Sequence, residues 1–192
     1  MNCWNFFKPA ALTASLLGLL STTFLAADEL LVDPALRSAL VTALEEPHQF
    51  EDEFDAQVWL LSRRNALQRF IEEPDRAIPL LQTIHRHASQ AGLAPDLVLA
   101  LIEVESGFNR FAVSRAGAQG LMQVMSFWKN ELGREIDNLT EIETNLRYGC
   151  AILAYYLNME NGNVRPALAR YNGSYGQQWY PDRVYQAWAN WR

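Results

Sequence analysis

Cysteine is nearly missing from this 192-residue chain: only Cys3 and Cys150 occur. If the first 27 residues are removed, Cys150 stands alone, so no intrachain disulfide is expected in the mature protein. Within "YGCAILAYYL", Cys150 reads as a small apolar helix residue. Histidine is almost as sparse, with three in all, and His85 and His87 lie two apart on an expected helix, so they face different ways and do not form a metal pair. There is no zinc-ligand spacing, phosphate-binding loop or Ser-His-Asp order, and neither a metal nor an organic cofactor is expected. Basic residues are outnumbered, 16 against 22, for a formal net charge of −6, which argues against nucleic acid as a partner. Strand-like alternation, internal repeats and low-complexity tracts are also lacking, which leaves an all-α fold class. The 49% hydrophobic content suits one compact domain with a real core.

Acidic residues are missing before Asp28, and Lys8 is the only charge in that stretch. "PAALTASLLGLLSTTFLAA" then runs uncharged to Ala27, the pattern of an export signal, and residues 1–27 are expected to be a signal peptide cleaved near Ala27. Removing them would leave 15 bases against 22 acids, a net charge of −7. The alternative is a short membrane anchor, for which Thr13, Ser15, Gly18 and the Ser21-Thr22-Thr23 cluster make a poor permanent span; Leu25 is bulky for the cleavage site. After cleavage no stable membrane span is expected.

What is present is helical periodicity. Asp33-Pro34 reads as a cap followed by Pro at the first helical position, with Leu36, Leu40, Ala43 and Leu44 at helical spacing. Phe54, Val58, Leu61, Leu67 and Phe70 predict a second helix that stops near Pro74. Ile78, Leu81, Ile84 and Ala88 predict a third, ended by Gly92. Pro95 opens a helix whose Leu97 to Ile102 are apolar on all sides, the mark of a helix buried in the middle of the domain. Further helices are expected over Leu121 to Leu132, from a Thr140/Glu143 capping box to Gly162, through Ala167 to Arg170, and around Val184, Trp188 and Trp191.

The buried helix carries two carboxylates near its end, Glu103 and Glu105. Leu101 and Ile102 share a side with Glu105, so its carboxyl projects from an apolar surface, where desolvation and the helix C-terminus both raise its pKa. Glu103 points well away, so the two do not make a facing pair. Spacing alone does not decide which glutamate works, and ion pairing to arginines such as Arg110 or Arg115 is the structural alternative for both.

The stretch "ESGFNRFAVSRAGAQGLMQVM", followed by "NLRYG" and "ALARYNGS", resembles the catalytic domain of the soluble lytic murein transglycosylases, the SLT domain, relatives of goose-type lysozyme. The ordered pieces are Glu105-Ser106, Gly120-Leu121-Met122-Gln123, Asn145 with Gly149, Tyr171-Asn172, and a late tyrosine at Tyr180, spanning about residues 92 to 188. Two departures stand out: Met125-Ser126-Phe127-Trp128 where the family often has Met-Pro-x-Thr-Ala, and Tyr171-Asn172-Gly173-Ser174 where it often has Tyr-Asn-Ala-Gly.

The resemblance implies a lysozyme-like helical catalytic domain over 92–192, preceded by an N-terminal helical segment over 28–91 with no readable motif. It implies Glu105 as the catalytic acid and base, with Ser106, Met122, Gln123, Tyr171, Asn172 and Tyr180 on the substrate side, and Tyr180 also holding the Glu105 side chain. Tyr175 and Tyr185 compete with Tyr180 for that place. Met122 fits a core position as well as a groove wall, Asn145 reads as structural, and Trp128, Trp179, Trp188 and Trp191 read as packing or as sugar-stacking residues. The implied substrate is the glycan strand of peptidoglycan in the periplasm, cleaved at the MurNAc-GlcNAc β-1,4 bond without water to leave 1,6-anhydro ends. The alternatives are a lysozyme-like muramidase on the same fold and a non-catalytic peptidoglycan-binding protein. Asp96, Asp137 and Asp182 are the carboxylates that folding could bring near Glu105, and no protein partner is identifiable.

Overall fold

The computed structural model describes residues 53–131 and 134–192, together with Pro34, Arg37, Ser38 and Val41, whose backbone is helical. The expected leader with Cys3, the apolar positions Leu36, Leu40, Ala43 and Leu44, and Leu132 and Gly133 lie outside the described residues. Among the described residues no helix is long and apolar enough to cross a membrane.

Helix α1 (Glu53–Leu67) buries Leu60 and Leu67 and leaves the expected Val58 and Leu61 in solvent. Polar anchors fix this rotation. The Trp59 indole donates to Asp96 at 2.6 Å, and the Arg63 guanidinium makes a two-pronged bond to the same carboxylate at 2.9 and 2.7 Å. The helix also stops earlier than expected. The amides of Phe70 and Ile71 both fold back onto the Leu67 carbonyl, and Pro74 opens the next helix instead of ending this one. In the turn, Phe70 packs against Phe108 and Trp191.

Helix α2 (Pro74–Gln90) turns Ala77, Leu80, Leu81, Ile84, His87 and Ala88 inward. Gly92, at φ 67°, lets the Leu93 amide reach the Ala88 carbonyl at 2.8 Å, a six-residue closure that buries Leu93 as a stopper. Helix α3 (Pro95–Ser106) follows, with Leu97 to Ile102 all at 2% exposure or less, the all-round burial expected from its sequence. It runs between α2 and the last helix.

A short antiparallel hairpin, β1 (Ala118–Gln119) and β2 (Val124–Met125), replaces the first half of the helix expected over Leu121 to Leu132; only α4 (Phe127–Glu131) is helical there. The reason is local. Gly120 at φ 77° and Gln123 at φ 48° are left-handed positions that no continuous right-handed helix contains.

Helix α5 (Ile142–Met159) starts without the expected capping box: Thr140 Oγ1 bonds Asn138, and Glu143 reaches across to Arg86 and His87 on α2. At its other end the Gly162 amide closes onto the Leu157 carbonyl at 2.8 Å. Helix α6 (Val164–Asn172) packs on α5, and α7 (Trp179–Ala189) packs on both α6 and α3. One hydrophobic core gathers residues from α1 through α7.

Candidate active site

The end of α3 is made by Gly107, in the left-handed conformation at φ 55°, and the two glutamates of its last turns separate as their spacing requires. Glu103 Oε2 accepts a 2.7 Å bond from the indole of the fully buried Trp191. Glu105 Oε1 accepts a 2.5 Å bond from the hydroxyl of Tyr180 on α7. Tyr180 is itself buried, whereas Tyr175 is exposed and Tyr185 lies under the Arg165 guanidinium, so of the three candidate tyrosines it is Tyr180 that meets Glu105. Arg110, the expected alternative partner of the glutamates, is taken by Glu141 and the Thr140 carbonyl.

Burial raises the Glu105 pKa; the Tyr180 hydrogen bond and the charge of Arg183 pull it back, and burial wins. The C-terminal partial charge of α3 acts in the same direction as burial. Burial together with the neighbouring Glu105 charge keeps the Tyr180 and Tyr171 phenols well above their usual range, so both stay neutral donors. Arg183 lies one helical turn after Tyr180, and nothing in its local sequence marked it; its i+3 spacing from Tyr180 was the available signal.

A polar lattice ties the turn between β1 and β2 to the end of α3 and to Tyr171, which feels the Glu105 charge. Ser106 Oγ donates to the Leu121 carbonyl at 2.7 Å, tying the end of α3 to the turn. The Tyr171 hydroxyl donates to the Met122 carbonyl at 2.7 Å. Asn145, fully buried on α5, accepts from the Met122 amide at 2.7 Å and donates to the carbonyls of Gln119 and Leu139 at 2.8 and 2.9 Å, which is the structural part expected of it. Gln123 keeps its left-handed backbone because its side-chain amide donates to the carbonyls of Ala112 and Gly120 at 3.1 and 2.9 Å.

The glycines of these motifs have steric reasons. A β-carbon at Gly120 would come within 2.3 Å of Asn145 and of the Leu139 carbonyl, and one at Gly149 within 2.5 Å of the Met122 sulfur. Met122 is accordingly fully buried, with the Cys150 thiol 3.9 Å from its sulfur. Of the two places open to it, core and groove wall, the Met122 side chain takes the core, and its backbone carbonyl accepts the Tyr171 bond. Cys150 is buried, as its setting suggested, and burial pushes its thiol well above the usual range. Asn172 is exposed at the last position of α6. His85 meets the Trp59 ring and His87 meets Glu143, so the two histidines diverge.

The three aspartates that could supply a second carboxylate are all committed elsewhere. Asp96 holds Trp59 and Arg63, Asp137 holds Arg134 and the Tyr148 hydroxyl, and Asp182 holds Arg165. Among Glu105 and these three aspartates, Glu105 alone is bonded to a phenol instead of an arginine, and it is biased toward its neutral form.

A family model described as "Transglycosylase SLT domain" matches residues 82–187. Proteins of Yersinia pestis (strain Pestoides F) and Yersinia pseudotuberculosis serotype O:1b (strain IP 31758), each named "Membrane-bound lytic murein transglycosylase C", are 31% identical over 120 residues, covering 53% of this chain and 33% of each relative. The chain therefore spans about a third of the length of the curated relatives it matches. An X-ray structure of an inactive mutant of lytic transglycosylase Slt from Pseudomonas aeruginosa is similar at 26% identity and a TM-score of 0.44, over 72% of this chain and 25% of that one. With more than half of its residues inside the family model, this chain belongs to the transglycosylase SLT domain family.

Proposed function

We propose that this chain is a peptidoglycan lytic transglycosylase in which Glu105 is the only acid and base. The observation that carries the reading is a contrast among carboxylates: Glu105 is pushed toward its neutral form by burial and bonded to Tyr180, while Asp96, Asp137 and Asp182 are each bound to an arginine. Glycosidic cleavage needs a proton for the leaving oxygen and a nucleophile for the oxocarbenium-like centre, which most glycosidases supply with two carboxylates. With one, the substrate must bring the nucleophile. Glu105 gives its proton to the bridging oxygen of the MurNAc-GlcNAc bond, and the resulting carboxylate takes the proton of the MurNAc C6 hydroxyl as that oxygen bonds to C1. The proton is returned, no water is consumed, and the product end is 1,6-anhydro.

Tyr180 orients the carboxyl, and the Ser106, Gln123 and Tyr171 bonds hold the turn beside it. Asn172, exposed at the end of α6, touches the sugar in this reading. Residues 92–192 form the catalytic domain in this reading, preceded by the segment 28–91, of which residues 53–91 support it through the shared core. In this reading the expected signal at 1–27 delivers the protein to the periplasm, and relatives named membrane-bound lytic murein transglycosylase support murein as its substrate. Incubation with purified cell-wall sacculi tests the reading: the wild-type protein releases soluble muropeptides. Release by Glu105→Gln at the wild-type rate would exclude this role for Glu105.

A further inference from the structure

The tryptophans considered as packing or stacking residues divide sharply. Trp191 and Trp128 are buried, and Trp188 packs between Tyr185 and Arg192, but Trp179 at the start of α7 is 49% exposed. It precedes Tyr180 directly, and the two rings meet edge to face at 5.7 Å and 81°. Its indole N–H is fixed by Gln177 Oε1 at 2.7 Å, so the ring is oriented without being covered.

Tyr175, four residues earlier, is 57% exposed and equally fixed: the Arg170 guanidinium lies 3.9 Å from its ring centre, and Arg170 is itself bound to Glu160. The loop that carries both rings is tightly folded. The Ser174 amide closes onto the Ala169 carbonyl at 2.8 Å, and the Gln177 amide onto the Ser174 carbonyl at 2.9 Å. Trp179 thus stands beside the phenol that holds Glu105, and Tyr175 presents a second exposed ring from the same folded loop. An aromatic ring offers a flat apolar face, and the axial C–H face of a pyranose is its chemical complement.

We propose that Trp179 and Tyr175 form an aromatic subsite that stacks on a pyranose ring of the glycan strand next to the bond presented to Glu105. The occupant is the sugar and not the peptide stem, because the exposed rings are neutral, Trp179 meets the phenol bonded to Glu105, and the cation over Tyr175, Arg170, is already bound to Glu160. The inference rests on the glycan-cleaving reading and deepens it.

The test is a binding measurement in the full chain carrying Glu105→Gln, with soluble glycan strands freed of their peptides by an amidase, followed by calorimetry and tryptophan fluorescence. Trp179→Ala should weaken binding about tenfold and Tyr175→Ala by a smaller factor, with Trp179→Phe retaining most of the affinity. The fluorescence change that accompanies binding should vanish in Trp179→Phe. Unchanged affinity in both alanine variants would overturn the subsite, as would a loss seen only with stem-bearing strands. If Trp179→Ala loses its circular dichroism, the Trp179→Phe signal and Tyr175→Ala affinity still decide. Because binding needs no turnover, a wild-type protein that releases no muropeptides would remove the proposed function without answering for the subsite, and an active enzyme indifferent to Trp179 would do the reverse.

Discussion

The two ends of α3 each carry a carboxylate, about 13 Å apart along the helix axis, and the helix treats them in opposite ways. Asp96, in the first turn, has the helix dipole in its favour and is saturated by the Trp59 indole and both prongs of Arg63. Glu105, in the last turn, has the dipole against it, is desolvated, and receives a single neutral donor, Tyr180. Glu103, two residues before it, is likewise tied to one neutral donor, but that donor is a core tryptophan far along the chain. The lesson is that a carboxylate with a cation in a two-pronged grip belongs to the fold, whereas one left with a phenol and little water is kept for proton transfer.

Breaking the Glu105 end should have the largest effect. Glu105→Gln should lower muropeptide release from sacculi by roughly 10²- to 10⁴-fold or more, the usual worth of general acid–base catalysis. The same variant sharpens the comparison through stability. A group whose folded pKa is raised contributes stability below its unfolded pKa and loses it as pH rises through the folded value. The melting temperature of Glu105→Gln should therefore gain on that of the wild type as pH rises from acid to neutral, and a variant that loses ground to the wild type over that range would contradict the raised pKa.

Tyr180→Phe should come next, at roughly 10²-fold in kcat from lost orientation of the carboxyl. The Tyr180 bond lowers the Glu105 pKa, so removing it raises that pKa further, and the fall of activity on the alkaline side should move to higher pH. Asp96→Asn, by contrast, should leave kcat within a few-fold while lowering unfolding stability by about 1–3 kcal/mol in denaturant titration, as expected for breaking a part-buried ion pair. Smallest of all is Arg183→Gln. Its charge also lowers the Glu105 pKa, so the alkaline limb of the rate profile should shift up slightly, and the shift should shrink at high salt because Arg183 is exposed.

Much of this comparison could be read from the chain itself. Pro95 and the unbroken apolar run announced α3 as a buried helix, and the Glu105-Ser106 pair at its end pointed to the carboxyl proposed as acid and base. The Gly92 stop was equally plain. The hairpin was not, because two-residue strands are too short to alternate, and Leu121, Met122, Val124, Met125 and Trp128 satisfy a helical spacing that only the backbone at Gly120 and Gln123 contradicts. The Thr140/Glu143 box failed because Glu143 found stronger partners on a distant helix, Arg86 and His87. Met122 could not be sorted between core and groove until Gly149 was seen beneath it. The partner of Glu103 lies 88 residues away, beyond any local pattern.

The central claim, one carboxyl and a nucleophile supplied by the substrate, is tested most directly by digesting sacculi in water enriched in oxygen-18 and weighing the muropeptides. Intramolecular capture predicts new muramyl ends that are 1,6-anhydro, lighter by one water than hydrolysed ends, resistant to borohydride reduction and free of the heavy isotope. Reducible N-acetylmuramic acid ends carrying oxygen-18 would show that a second residue positions water, and would make this protein a lysozyme.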